Sequence, residues 1–217
     1  MKTLGEIKEE LKNIGIVPVV VIDDENQAEP LAEALIKGGL PCAEVTFRTD
    51  AAAGAIKKMK NSFPELLVGA GTVLTSDQVD RAIDAGAEFL VSPGFNPATV
   101  RYAMNKGMPF TPGTQTPGEM EQAMALGLDF VKFFPAEPSG GIGMIKAVAA
   151  AYTGLSFMPT GGINAENVRA YLAYDRIIAC GGSWMVKKDL INEGKFSEIE
   201  RLVREAAAIV REVRDVK

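Results

Sequence analysis

Histidine is absent from all 217 residues. Without an imidazole there can be no Ser/His or Cys/His nucleophile and none of the common zinc sites, since each needs that ring as base or ligand. An all-carboxylate magnesium site remains allowed. Cysteine is scarce too: Cys42 and Cys180 are the only two, and both sit in apolar, strand-like runs with no CxxC spacing. They are expected to be reduced, buried thiols of a cytoplasmic protein rather than a disulfide. No apolar run approaches the roughly 20 residues that a membrane-spanning helix needs. The start, MKTLGEIKEELKN, is charged at helical spacing and lacks an apolar core of signal-peptide length, so neither a membrane span nor an export segment is expected. Positive charge is in deficit, with a net charge of −5, which argues against nucleic acid or an anionic membrane as a partner. Any anionic ligand must be held locally.

What is present is ordinary in amount and regular in order. An apolar content of 47% and a charged content of 24% are globular values, and a chain of this length can bury a sizeable core. Leu4, Ile7, Leu11 and Ile14 form one helical stripe that Gly15 stops. Short apolar runs then alternate with helical patterns. The runs are 17–22, 43–47, 66–71, 88–92, 108–113, 129–135, 156–162 and 176–183; helices are expected over 28–37, 50–60, 76–85, 97–106, 117–126, 142–152 and 164–172, with a long amphipathic segment at 195–215. About eight strand-then-helix units mean parallel strands with crossover helices. The expected fold is a compact α/β (β/α)₈ TIM barrel, a single domain over 1–217 with an N-terminal helix. The alternative, an open doubly wound sheet, usually carries a glycine-rich dinucleotide loop after its first strand, where this chain has DDENQ.

Strands covered on both faces should be nearly all apolar, with functional groups at their C-terminal ends. The polar exceptions therefore mark candidates. In DFVKFFPAE (129–137), alternation places Lys132 and Phe134 on one face and Val131 and Phe133 on the other. A poorly solvated lysine should have a lowered pKa and can then act as a nucleophile toward a carbonyl carbon. The plain alternative is a lysine whose tip reaches water along an apolar wall. In AEVTFRT (43–49), Glu44 and Arg48 share a face, and a buried carboxylate between Ala43 and Val45 must be paired, protonated or working. Thr72 ends the GAGT stretch with a hydroxyl and a backbone N–H able to meet a carboxylate. Pro93 in SPG is a turn residue that can also wall a pocket. Two glycine pairs, in PTGGIN (159–164) and CGGS (180–183), leave successive N–H groups free to cradle an anion. They follow the last two strands, where such barrels commonly hold phosphate.

Taken in order, VPVV (17–20), EVTFRT (44–49), VGAGTVL (68–74), SPG (92–94), VKFFPAE (131–137), PTGGI (159–163) and GGSW (181–184) resemble the 2-keto-3-deoxy-6-phosphogluconate aldolase family, which includes the 4-hydroxy-2-oxoglutarate aldolases. The blocks span nearly the whole chain. The resemblance implies a homotrimeric barrel acting on a small 2-keto acid as a Schiff-base aldolase that needs no metal or other cofactor. It implies Lys132 as the Schiff-base lysine and Glu44 as acid and base. Arg48 and Thr72 would hold the pyruvate carboxylate, Pro93 and Phe134 would wall the pocket, Thr160 would lie near the carbon bearing the hydroxyl, and Gly161, Gly162 and Ser183 would hold phosphate. The chain departs from the pattern in Thr114 and Gln115 and in the acidic pair Asp23 and Asp24. Four rivals stay open on residues alone: an aldolase for the galactonate epimer, another phosphate-binding barrel enzyme, a divalent-metal aldolase using carboxylates, and a sugar-phosphate-binding barrel without catalysis.

Overall fold

A computed structural model describes residues 2–214. Helix α1 (Leu4–Ile14) starts where Thr3 and Glu6 cap one another: the Glu6 N–H donates to the Thr3 hydroxyl, and the Thr3 N–H donates to the Glu6 carboxylate at 2.7 Å. Gly15, at φ 77°, ends it. Strands and helices then alternate through β1 (Ile16–Val20), α2 (Ala28–Gly38), β2 (Cys42–Thr46), α3 (Ala52–Ser62), β3 (Leu67–Gly71), α4 (Ser76–Asp84), β4 (Phe89–Val91) and α5 (Pro97–Asn105). The second half runs β5 (Phe110–Thr111), β6 (Gly113–Thr114), α6 (Pro117–Ala125), β7 (Phe130–Phe133), α7 (Gly141–Ala151), β8 (Ser156–Pro159), α8 (Val168–Leu172), β9 (Cys180–Gly182), α9 (Lys188–Asn192) and α10 (Phe196–Arg214).

The strands form a parallel α/β arrangement in two sheets, ordered β5-β4-β3-β2-β1-β9 and β6-β7-β8. The expected single strand over 108–113 is divided between them because Pro112 has no N–H for the ladder; its carbonyl still accepts the Lys132 N–H at 2.9 Å. At the other margin, isolated parallel bridges join Phe157 to Ile177 and Thr160 to Gly181. Strand residues are buried throughout, as parallel strands covered on both faces require.

Alternation splits the core in two. Val45, Val68, Leu90, Val131 and Phe157 belong to one cluster, with the helices packed on it. Their strand neighbours Val17, Cys42, Leu67, Phe89, Phe130 and Met158 form a second, into which α1 inserts Ile7 and Leu11, both fully buried. Cys42 and Cys180 are free and buried, and burial pushes both thiols up.

Two expectations need correction. The helix expected over 164–172 is only Val168–Leu172. Asn164 instead accepts the Glu166 and Asn167 N–H groups on its side chain, and Asn167 returns the favour to the Asn164 N–H at 2.9 Å, so side chains displace helical hydrogen bonding in the first turn. The last strand is also shorter than expected, Cys180–Gly182 rather than 176–183. The final residue of the expected closing helix, 215, lies outside the described residues.

Candidate active site

Glu44 shares the face of Cys42, and Lys132 the face of Phe130, so both point to the side lined by the second core cluster. The lysine Nζ donates to Glu44 Oε1 at 3.2 Å, with Lys132 5% exposed and Glu44 0%. The other carboxylate oxygen, Oε2, is buried with no hydrogen-bond partner among the described residues. A buried carboxylate rarely stays half satisfied unless something else completes it. Space for the carboxylate comes from Gly71, where a Cβ would lie 2.4 Å from Glu44 Oε1. Gly69 makes room in the same way for the Phe89 ring, 2.3 Å from its virtual Cβ.

Above this pair, at the C-terminal ends of β1, β7, β8 and β9, opens a cavity of about 590 Å³. Its walls include Arg48, Phe134, Thr160, Gly161, Gly162 and Ser183, so six of the ten expected site residues meet in one place. Phe134 connects the cavity to the pair beneath, because its ring centroid is 5.3 Å from Lys132 Nζ, within cation–π range. Thr160 Oγ1 is likewise buried without a hydrogen-bond partner among the described residues. Gly161 and Gly162 hold φ values of 97° and 83°, a backbone that L side chains rarely adopt. With the helix start displaced to Val168, any anion at this loop would meet the loop's own N–H groups and not a helix N-terminus.

The remaining two expected residues are adjacent but elsewhere. Thr72 follows β3 directly after Gly71 and is the only non-glycine with positive φ among the described residues, at 56°. For a β-branched residue that is a true outlier. Pro93 walls a separate cavity of about 320 Å³ with Val73 and Phe110. Its carbonyl carbon and oxygen nevertheless press on Gly113, 2.3 and 2.2 Å from a virtual Cβ there, and Gly113 pairs in register with Lys132.

Trp184, Asn164 and Lys187 also line the larger cavity without having been singled out from the sequence. Trp184 and Asn164 fall in the GGSW and PTGGIN stretches, but neither was given a role there, and all three residues arrive on irregular loops. Asp23 finds its reason here: it pairs with Lys188 at 2.9 Å and accepts from Asn192 Nδ2 at 3.2 Å, tying the loop after β1 to α9. Among the described residues, no three His, Cys, Asp or Glu side chains come together as a metal-ligand set, and no helix is long and apolar enough to cross a membrane.

The chemistry of this geometry agrees with what the chain is similar to. The family model for KDPG and KHG aldolases matches residues 7–202. The 2-dehydro-3-deoxy-phosphogluconate aldolase of Haemophilus influenzae is 48% identical over 209 residues, 96% of this chain and 99% of its own. The 2-keto-3-deoxy-6-phosphogluconate aldolase of Zymomonas mobilis, solved with 3-phosphoglycerate, superposes with a TM-score of 0.86 at 39% identity, over 93% of this chain and 95% of that one. The KDPG aldolase of Legionella pneumophila, solved with pyruvate captured at low pH as a covalent carbinolamine, gives 0.87 at 37% identity, over 91% and 96%. A buried amine beside a carboxylate, beneath a glycine-lined cavity, thus occurs in a chain that belongs to the KDPG and KHG aldolase family.

Proposed function

We propose that this chain is a class I aldolase that cleaves 2-keto-3-deoxy-6-phosphogluconate to pyruvate and glyceraldehyde 3-phosphate through a Schiff base on Lys132. The same pyruvate half would serve 4-hydroxy-2-oxoglutarate, giving pyruvate and glyoxylate. The observation that carries the reading is the buried contact between Lys132 Nζ and Glu44 Oε1 at 3.2 Å, with Glu44 Oε2 left open to a further partner.

The Lys132 amine adds to the keto carbon C2, and loss of water from the carbinolamine gives an iminium. Glu44 takes the proton of the C4 hydroxyl. The C3–C4 bond breaks, its electron pair forms the C2–C3 double bond of an enamine, and the iminium charge is neutralised as the aldehyde leaves. Glu44 returns its proton to C3, and water hydrolyses the new iminium to free pyruvate and the amine. Arg48 supplies a planar fork suited to the pyruvate carboxylate, and Thr72 a hydroxyl and N–H beside it. Pro93 and Phe134 bound the pyruvate end. The unpartnered Thr160 Oγ1 suits the C4 hydroxyl, and Gly161, Gly162 and Ser183 suit the phosphate.

We further read the two sheets as one closed eight-stranded barrel forming a single domain. The direct passage of the chain from β5 into β6 and the bridges between Thr160 and Gly181 and between Phe157 and Ile177 support closure. A homotrimer in the cytoplasm is the assembly and location that the family resemblance suggests; light scattering of the purified chain tests the former. The test of the chemistry is covalent. Borohydride added with pyruvate should leave one reduced adduct, on the peptide bearing Lys132, and Lys132→Met should leave none. An adduct on Lys146 or Lys187 would end the assignment.

A further inference from the structure

The glutamate that closes VKFFPAE plays no part in the chemistry above, yet it touches the glycine loop from below. Gly162 lies so close to it that a Cβ there would meet Glu137 Cβ at 2.6 Å and Cγ at 2.7 Å. The Glu137 N–H donates to the Gly161 carbonyl at 3.0 Å, and the preceding Ala136 N–H donates to the Thr160 carbonyl at 2.8 Å. From the opposite side, Asn167 Nδ2 donates to the Gly162 carbonyl at 2.9 Å. The carbonyls of Thr160, Gly161 and Gly162 are therefore all held, which fixes the direction of the loop's peptide planes. The Glu137 carboxylate is held in its turn: Oε1 accepts the hydroxyl of Tyr171 on α8, a side chain only 1% exposed. Gly141, the first residue of α7, seats against both, 3.0 Å from Glu137 Oε1 and 3.0 Å from the Tyr171 hydroxyl at its virtual Cβ. Burial and the Glu137 carboxylate together raise the Tyr171 phenol, so it stays a proton donor across the working pH range.

We infer that Glu137, anchored by Tyr171, is a positioning residue that holds the Gly161–Gly162 loop in the shape that receives the substrate phosphate. This rests on the aldolase reading and refines it, because it ties the strut to the phosphate end and not to the pyruvate end. Two successive glycines have many other conformations open to them, so one loop shape is kept only by what packs against it: Pro135 and Phe134 lie against Gly161, and Glu137 lies against Gly162. Glu137→Gln keeps the methylenes under Gly162 and a carbonyl oxygen for the Tyr171 hydroxyl. Tyr171→Phe removes the anchor alone, and Glu137→Ala removes both.

The test compares two arms in parent and variants. One is the KM for 2-keto-3-deoxy-6-phosphogluconate cleavage. The other is the pyruvate concentration giving half-maximal borohydride trapping, which involves no phosphate. The expected result is a KM raised roughly tenfold or more in Glu137→Ala, less in Tyr171→Phe and least in Glu137→Gln, with pyruvate half-saturation within about twofold of the parent throughout. Equal losses in both arms, or an unchanged KM in Glu137→Ala and Tyr171→Phe, would overturn the strut. Failure of the parent itself to trap pyruvate would instead overturn the aldolase reading on which the strut depends.

Discussion

A lysine and a glutamate side chain 3.2 Å apart with almost no water around them are costly to bury, and the proposed proton transfer by Glu44 gives that arrangement a use. Glu44→Gln preserves shape and most of the packing while removing that capacity. It should lower turnover by roughly two to four powers of ten and still let pyruvate be trapped slowly on Lys132; turnover near that of the parent would remove Glu44 from the role. Both residues were legible in the sequence because a charge inside an apolar strand is conspicuous and the period of two tells which face it takes. Thr72 was legible only as a hydroxyl after two glycines. Its φ is 56°, and no local pattern announces a β-branched residue in that conformation. Glu137 escaped notice for a different reason: its partners Gly162 and Tyr171 are remote in sequence, and only folding brings them under it.

At the scale of elements, caps decide more than propensities. Helix α6 opens with Thr116 and Glu119 capping each other beside Pro117, and the Glu119 carboxylate accepts the N–H groups of Gln115 and Thr116, each at 2.8 Å. Burial alone would raise this carboxyl, but those N–H donors and the Thr116 hydroxyl outweigh it, so its pKa lies below the ordinary 4.5. A depressed folded value means the stabilisation is present above about 4.5, the unfolded value, and is lost as pH falls through the folded one. Glu119→Gln should therefore lower the urea midpoint at pH 7, and the gap from the parent should shrink on acidification below pH 4.5; a gap independent of pH would show that charge plays no part. The strand and helix order was readable from periodicity. The start of α8 was not, because Asn164 and Asn167 hydrogen-bond the backbone locally, and neither was the division at Pro112, where a missing N–H separates β5 from β6 while the apolar pattern runs on.

Across the whole molecule, α1 is the piece with no strand of its own to cross over, and it packs its stripe against the second core cluster. The stripe of Leu4, Ile7, Leu11 and Ile14 was evident in the sequence; the surface it covers was not, since that surface is assembled from β1, β2, β3, β4, β7 and β8. Truncating Leu11 to Ala should cost about 2–5 kcal/mol, read as a lower urea midpoint, while leaving the KM for substrate unchanged. An altered KM would mean that α1 communicates with the cavity. The packing of helix α1 also bears on the order of events in the proposed reaction. Ile7 and Leu11 fill the cluster toward which Glu44 and Lys132 point, so under the proposed reaction the pyruvate fragment would lie innermost and the phosphate-bearing fragment would stand between it and solvent. Departure would then follow a queue, aldehyde first and pyruvate last, and the reverse condensation would admit pyruvate before its partner.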